Sequence, residues 1–174
     1  MKLTTNYLGL TLRNPLIVGA SPLADNTHVA LQLQDAGVGA IVMRSLFEEQ
    51  IDYEQRALTH HIESPAESSP EATPFLPSYD EYQLTPDHYL RQIGELKKAL
   101  EIPIIASLNG YRPGGWTDYA QNLERAGADA IELNLYQLVT DPEVSGEEIE
   151  SDMLKTVRSV TSSVKIPVAI KLSA

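Results

Sequence analysis

The chain has 174 residues, 24 acidic against 13 basic for a net charge of −11, and no cysteine. That length carries one domain with a real core, and the acidity argues against nucleic acid or an anionic membrane surface as a partner. The missing thiols exclude disulfides, thiolate metal sites and a cysteine nucleophile.

From the N-terminus, Met1-Lys2-Leu3-Thr4-Thr5-Asn6 lacks an apolar signal core, and no later run reaches membrane-spanning length, so a cytoplasmic protein is expected. Thr4 to Leu12 alternates polar and apolar residues around Gly9, which suits a short β-hairpin. Asn14-Pro15-Leu16-Ile17-Val18-Gly19-Ala20-Ser21 reads as a first buried strand whose small residues let a flat ligand approach the backbone. Asn26 or Thr27 caps a helix to about Ala36, with Val29, Leu31, Leu33 and Ala36 as its apolar contacts. A second strand follows from Ala40 to Arg44. Residues 46–85 then break all periodicity: acidic residues and Pro65, Pro70, Pro74 and Pro77 oppose any continuous element, and a lid or insertion loop is predicted. Thr85-Pro86-Asp87 starts a helix to Leu100, with Leu90, Ile93, Leu96 and Leu100 on its apolar face. Strand three, Pro103 to Leu108, runs into the glycine-rich loop Asn109 to Gly115. A helix over Thr117 to Ala126 feeds strand four, Ala130 to Leu135. A last helix from about Glu147 to Ser163 feeds strand five, Val168 to Leu172.

The strands share two forms of approach. Ala36-Gly37-Val38-Gly39-Ala40 and Ala126-Gly127-Ala128-Asp129-Ala130 lead into two of them, Ile102-Pro103 and Ile166-Pro167 into two more. Helical and strand periods alternate, so the class is α/β with a parallel sheet buried on both faces. A closed eightfold barrel takes about 250 residues, so the prediction is a parallel β/α (TIM-type) barrel truncated after about five strands. The N-terminal hairpin would cover its bottom, and residues 1–174 would form part of a single domain. An open edge strand in such a half would favour a homo-oligomer or pairing with a complementary half-barrel.

Polar residues end these strands, where α/β barrels keep their chemistry. Lys171 closes an otherwise apolar strand and is costly to bury without an anion or an electron-rich ligand. It is open to three readings: a rim lysine paired with Glu132, a cofactor ligand, or the Schiff-base lysine of a lyase or aldolase barrel. Alternation puts Glu132 and Asn134 on one side of strand four, either as a core hydrogen-bond pair or facing a ligand. Arg44 and Ser45 end strand two with groups suited to an anion and to a ring edge, although a rim arginine paired with acidic residues is an equal reading. Asn109 precedes a glycine loop that lacks the Gly-Lys-Ser/Thr end of a phosphate loop. His60-His61 lack metal-site spacing and read as solvated, with no metal expected.

Together these motifs resemble the dihydroorotate dehydrogenase family of FMN-dependent barrels. The resemblance rests on Asn14-Pro15 with Ala20-Ser21, Ser45-Leu46-Phe47-Glu48-Glu49-Gln50, Glu132-Leu133-Asn134-Leu135 and Lys171-Leu172-Ser173, in that order. It implies hydride transfer between a small-molecule substrate and FMN. By the same resemblance Ala20, Ser21, Arg44 and Ser45 would lie at the flavin, Asn134 at flavin and substrate, Asn109 near the substrate, and Lys171 at the N1/O2 edge of the ring. A cation there stabilises the reduced, anionic ring. The chain departs from the family pattern at three places. Arg44 stands where a lysine is usual. Gln137 occupies the position of the cysteine base, and an amide cannot take that proton. Phe75-Leu76-Pro77-Ser78-Tyr79 replaces the asparagine-rich substrate loop. The family's phosphate-binding glycine loops, which follow the last strands, have no counterpart, so this chain by itself is expected to be inactive.

Overall fold

The structure, a computed structural model, describes residues 2–47, 86–109, 116–136 and 140–172. Strands β1 (Thr5–Tyr7) and β2 (Leu10–Leu12) form an antiparallel hairpin. Then come β3 (Ile17–Val18), a 3₁₀ turn (Pro22–Asp25), α1 (Thr27–Asp35), β4 (Ala40–Phe47) and α2 (Pro86–Ala99). They are followed by β5 (Ile104–Asn109), α3 (Trp116–Ala126), β6 (Ala130–Leu135), α4 (Gly146–Ser163) and β7 (Val168–Leu172). The sheet β3-β4-β5-β6-β7 is parallel throughout and in chain order, a curled half-barrel of five strands.

The two approach motifs are two turn devices that interlock. After α1 and α3 the chain turns through Gly37 and Gly127, at φ of 100° and 102°, where a side chain would be strained. The N–H groups of Gly37 and Val38 return to Gln34 and Leu33, and those of Gly127 and Ala128 to Glu124 and Leu123, a paired pattern that satisfies the last helical carbonyls. The same Gln34 and Glu124 turn their side chains to the next Ile-Pro approach. Gln34 Oε1 accepts from the N–H groups of Glu101 and Ile102 (2.7 and 3.3 Å), and Glu124 Oε1 accepts from Lys165 and Ile166 (2.9 and 3.2 Å). Proline has no N–H to give, but the Pro103 and Pro167 carbonyls accept from Ile41 and Ile131 of the preceding strand. Sequence spacing thereby becomes strand register.

The outer face of the sheet (Ile41, Met43, Leu46, Ile104, Ala106, Leu108, Ile131, Leu133, Leu135) packs against Ile93, Leu96, Leu123 and Val160 of the helices. Each fully buried leucine or isoleucine there contributes about 1.5–3 kcal/mol. The inner face holds a second, smaller cluster. Leu12 of the hairpin, 1% exposed, packs with Ala40, Val42, Ile105 and Ala130, so the hairpin does close the bottom of the half-barrel.

Several boundaries move. The first buried strand shrinks to Ile17–Val18, because the Asn14 side chain turns the chain before it by accepting from the Leu16 N–H. β4 runs three residues past Arg44 to Phe47, so Leu46 and Phe47 belong to the sheet and not to the 46–85 loop; the rest of that loop lies outside the described residues. The last helix starts one residue early, at Gly146, because Ser145 and Glu148 form a reciprocal capping box. In α2 the buried face carries Pro86, Tyr89, Gln92, Ile93 and Leu96, which leaves Leu90 only half-buried. His60-His61, the glycine loop 110–115 and Gln137 also lie outside the described residues. Among the described residues, no helix is long and apolar enough to cross a membrane.

Candidate functional site

Strands β4 to β7 bring their C-terminal ends to one rim, and the inner-face side chains line up in rows across the sheet. Register pairs Ser45 with Ser107 and Ser107 with Glu132, then Phe47 with Asn109, Asn109 with Asn134, and Asn134 with Lys171. Strict alternation along β4 would put Arg44, not Ser45, in the row of Ser107. A bulge decides otherwise: Val42 pairs with Ile105 but Ser45 with Ser107, so β4 spends one extra residue over that step. Ser45 is turned inward, and Arg44 is left at the rim in an ion pair with Asp25 of the 3₁₀ turn.

Ser107, fully buried, is the hub of the inner face. Its Oγ lies 2.8 Å from Ser45 Oγ, accepts from Asn134 Nδ2 at 2.9 Å, and reaches Glu132 Oε1 at 3.4 Å. Glu132 in turn accepts from Lys171 Nζ at 3.0 Å, so one hydrogen-bonded chain crosses four strands from Ser45 to Lys171. Asn134 also donates to the Leu108 carbonyl at 3.0 Å. That carbonyl can only accept, which fixes the amide orientation and leaves Oδ1 facing away from it. Asn134 Oδ1 is buried and has no partner among the described residues, and the same holds for Ser21 Oγ beyond the end of β3. Gly19 and Ala20, just before it, are exposed, and a Cβ built on Gly19 would meet nothing within 4 Å.

Lys171 has the geometry of a rim lysine paired across to Glu132, with its Nζ 5.9 Å from the centre of the Tyr136 ring. Partial burial alone would lower its pKa. The hydrogen bond and charge of Glu132, helped by Tyr136, outweigh that and hold the ammonium above its ordinary value. Asn109 is half-buried at the end of β5, in register with Asn134.

Two site features had gone unread in the sequence. Ser107 sits inside the apolar run Ile104 to Leu108 without a motif around it. Tyr89, completely buried in α2, accepts from the Ser107 N–H at 2.9 Å and reaches the Ser107 carbonyl at 3.4 Å. Burial pushes its phenol well above the ordinary tyrosine value, so it stays a neutral hydroxyl. The available signal was its place in the helical series Tyr89, Ile93, Leu96, Leu100.

No family model matches the chain. Curated relatives do. The catalytic subunit of dihydroorotate dehydrogenase B (NAD(+)) from Methanocella arvoryzae is 30% identical over 99% of this chain and 54% of its own length. The same subunit from Thermoplasma volcanium is 28% identical over 98% of this chain and 54% of its own length. Over nearly its whole length the chain is similar in sequence to dihydroorotate dehydrogenases. The chain spans about half the length of the curated relatives it matches. Among solved structures it is similar in fold to dihydrodipicolinate synthases from Bacillus anthracis and Agrobacterium tumefaciens. Their TM-scores are 0.53 and 0.50, at 16% and 17% identity, covering 89% of this chain and 44% and 43% of those proteins. At that identity the likeness is one of barrel architecture alone.

Proposed function

We propose that the inner-face rim of this chain is the ring-side part of a flavin site, and that the function it serves is FMN-dependent hydride transfer to or from a small-molecule substrate. The observation that carries the reading is the buried Asn134 amide. Its Nδ2 is committed to Ser107 and Leu108 while its Oδ1 is left unpaired among the described residues, at the strand position in register with Lys171. A buried carbonyl oxygen without a donor costs about 1–3 kcal/mol, and the donor it lacks is one that a flavin ring carries at N3. The unpaired Ser21 Oγ and the open backbone at Gly19 and Ala20 suit the edge of a flat ligand. These residues fit the group.

FMN, when bound, supplies the hydride acceptor. The chain's own residues would do the rest. Lys171 holds a positive charge at the rim, Glu132 keeps it protonated, and Ser45, Ser107 and Asn134 present a fixed set of donors and acceptors, so little reorganisation is needed when charge develops. Asn109, in the same row, would meet the substrate. Arg44, paired with Asp25, would act at the margin of the site by fixing the turn that carries Ser21. Dihydroorotate as the substrate and the electron acceptor named for the relatives belong to those proteins.

The alternative, a Schiff-base lyase or aldolase barrel, is disfavoured at Lys171 by its ion pair. An imine requires the free amine, and Glu132 stabilises the ammonium. Titrating FMN with the purified chain, followed by quenching of flavin fluorescence, tests the proposal. Wild type is expected to quench saturably, and Asn134→Ala and Lys171→Ala to weaken binding about tenfold each, as loss of a charged or buried hydrogen bond does. Equal affinity in all three proteins, or none in any, would sink the flavin reading.

A further inference from the structure

The β4 bulge turns Ser45 inward, but it also interrupts the β4–β5 ladder between Val42 and Ser45, opposite the Ile105-to-Ser107 step. An interrupted ladder leaves backbone polar groups in need of partners, and inside a core they must be found nearby. Tyr89 is what meets the backbone there. Its ring comes from α2 on the outer face, is 0% exposed, and sets its hydroxyl on the Ser107 main chain, 2.9 Å from the nitrogen. The same residue's Oγ, on the inner face, is where Ser45, Asn134 and Glu132 converge. One residue of β5 is therefore held by its backbone from one side and organises the candidate site from the other.

We infer that Tyr89 is a positioning residue: by binding the Ser107 main chain at the bulge it sets the side-chain hub on which Ser45, Asn134 and Glu132 are arranged. Its role as a site residue rests on the flavin reading, but its hold on the hub does not. Tyr89 lies in the helix-side core of the sheet and not on its inner face. It acts through Ser107. Removing only its hydroxyl keeps the volume of the ring and strands a buried N–H, which relaxes by moving β5 and, with it, the Asn134 amide.

The experiment compares Tyr89→Phe with Ile93→Val, a second buried residue of α2 whose aliphatic side chain can make no hydrogen bond to Ser107. Two readouts are taken for each. One is the side-chain amide pair of Asn134, with the Ser107 backbone amide, in a nitrogen–proton NMR spectrum; the other is the FMN titration. Tyr89→Phe is expected to shift the Asn134 signals and speed exchange of the Ser107 amide about tenfold or more, as loss of one buried hydrogen bond implies. Ile93→Val should leave both in place. Unchanged Asn134 signals in Tyr89→Phe, or equal shifts in both variants, overturn the inference. If Tyr89→Phe unfolds, Ser107→Ala in the wild-type background keeps the test open. It deletes the hub while leaving the Tyr89 bond to the backbone, so the Asn134 pair should shift while the Ser107 amide stays protected. Loss of that protection overturns the inference. The titration speaks to the flavin reading separately. No FMN binding by wild type, together with shifted Asn134 signals in Tyr89→Phe, defeats the flavin site and supports Tyr89 as the residue that positions the hub.

Discussion

Glu132 is the residue on which the electrostatics of the rim turn. It stands between a neutral hydroxyl hub and the Lys171 ammonium, its side chain 16% exposed against 43% for the lysine. A half-exposed pair of this kind is worth about 1 kcal/mol or less, so its importance lies in where it holds the charge. Because the Lys171 pKa is raised above 10.5 in the folded chain, the pairing stabilises the fold fully below that value and is lost as pH rises through the folded value. Glu132→Gln keeps the shape and removes the charge. Urea unfolding between neutral and strongly alkaline pH should show wild type losing stability relative to Glu132→Gln across that window, with the gap widest at neutral pH. Parallel pH profiles for the two proteins would mean that the ion pair does not form in solution.

Among the elements, the approach to β4 is the most tightly specified, and the reason is a glycine with no room. A Cβ on Gly39 would lie 2.4 Å from the Asn14 carbonyl oxygen and 3.2 Å from that of Leu16. Neither neighbour can retreat, because Asn14 Nδ2 binds the Gly37 carbonyl, Arg13 binds the Val38 carbonyl, and the Gly39 N–H itself binds Leu16. Gly37 is the contrasting case, with open space around it but φ of 100°. Gly37→Ala should cost about 1–2 kcal/mol for its backbone conformation, and Gly39→Ala about 3 kcal/mol or more, at or beyond the usual cost of overpacking. Equilibrium urea unfolding gives both numbers, and a Gly39→Ala as mild as Gly37→Ala would contradict the contact. The sequence made these approaches legible because each is a local pattern: a glycine three residues after Gln34 or Glu124, or a proline opening a strand. The bulge in β4 was not legible, since what makes it is pairing with β5 some sixty residues away. Alternation therefore put Arg44 and Ser45 on equal terms as site residues. Asn134 and Lys171 were legible because a polar group in a buried strand announces itself. Ser107 did not, being small enough to pass for core, and Tyr89 passes for one more apolar contact of its helix.

At the scale of the whole molecule, the sheet has a finished interior and an unfinished side. Ile170 and Leu172 of β7 are in register with Leu133 and Leu135, which helices bury, yet they are 39% and 62% exposed. β7 has one neighbour, β6, among the described strands, so its other edge offers a row of backbone donors and acceptors. An apolar face next to an open strand edge is a template for another strand. Opposing it is the net charge of −11, which repels a second copy until salt screens it. The two effects predict a specific dependence: self-association of the isolated chain should grow with protein concentration and also with ionic strength, the reverse of what an ion-paired interface would do. Light scattering on size-fractionated protein at low and high salt measures it. Replacing Ile170 and Leu172 by lysine puts charge on the exposed face without touching the inner-face rim, and this variant should stay monomeric at both salt concentrations while binding FMN as wild type does. A wild-type chain that is monomeric throughout, or a double variant that associates equally, would place the sticking surface somewhere other than β7.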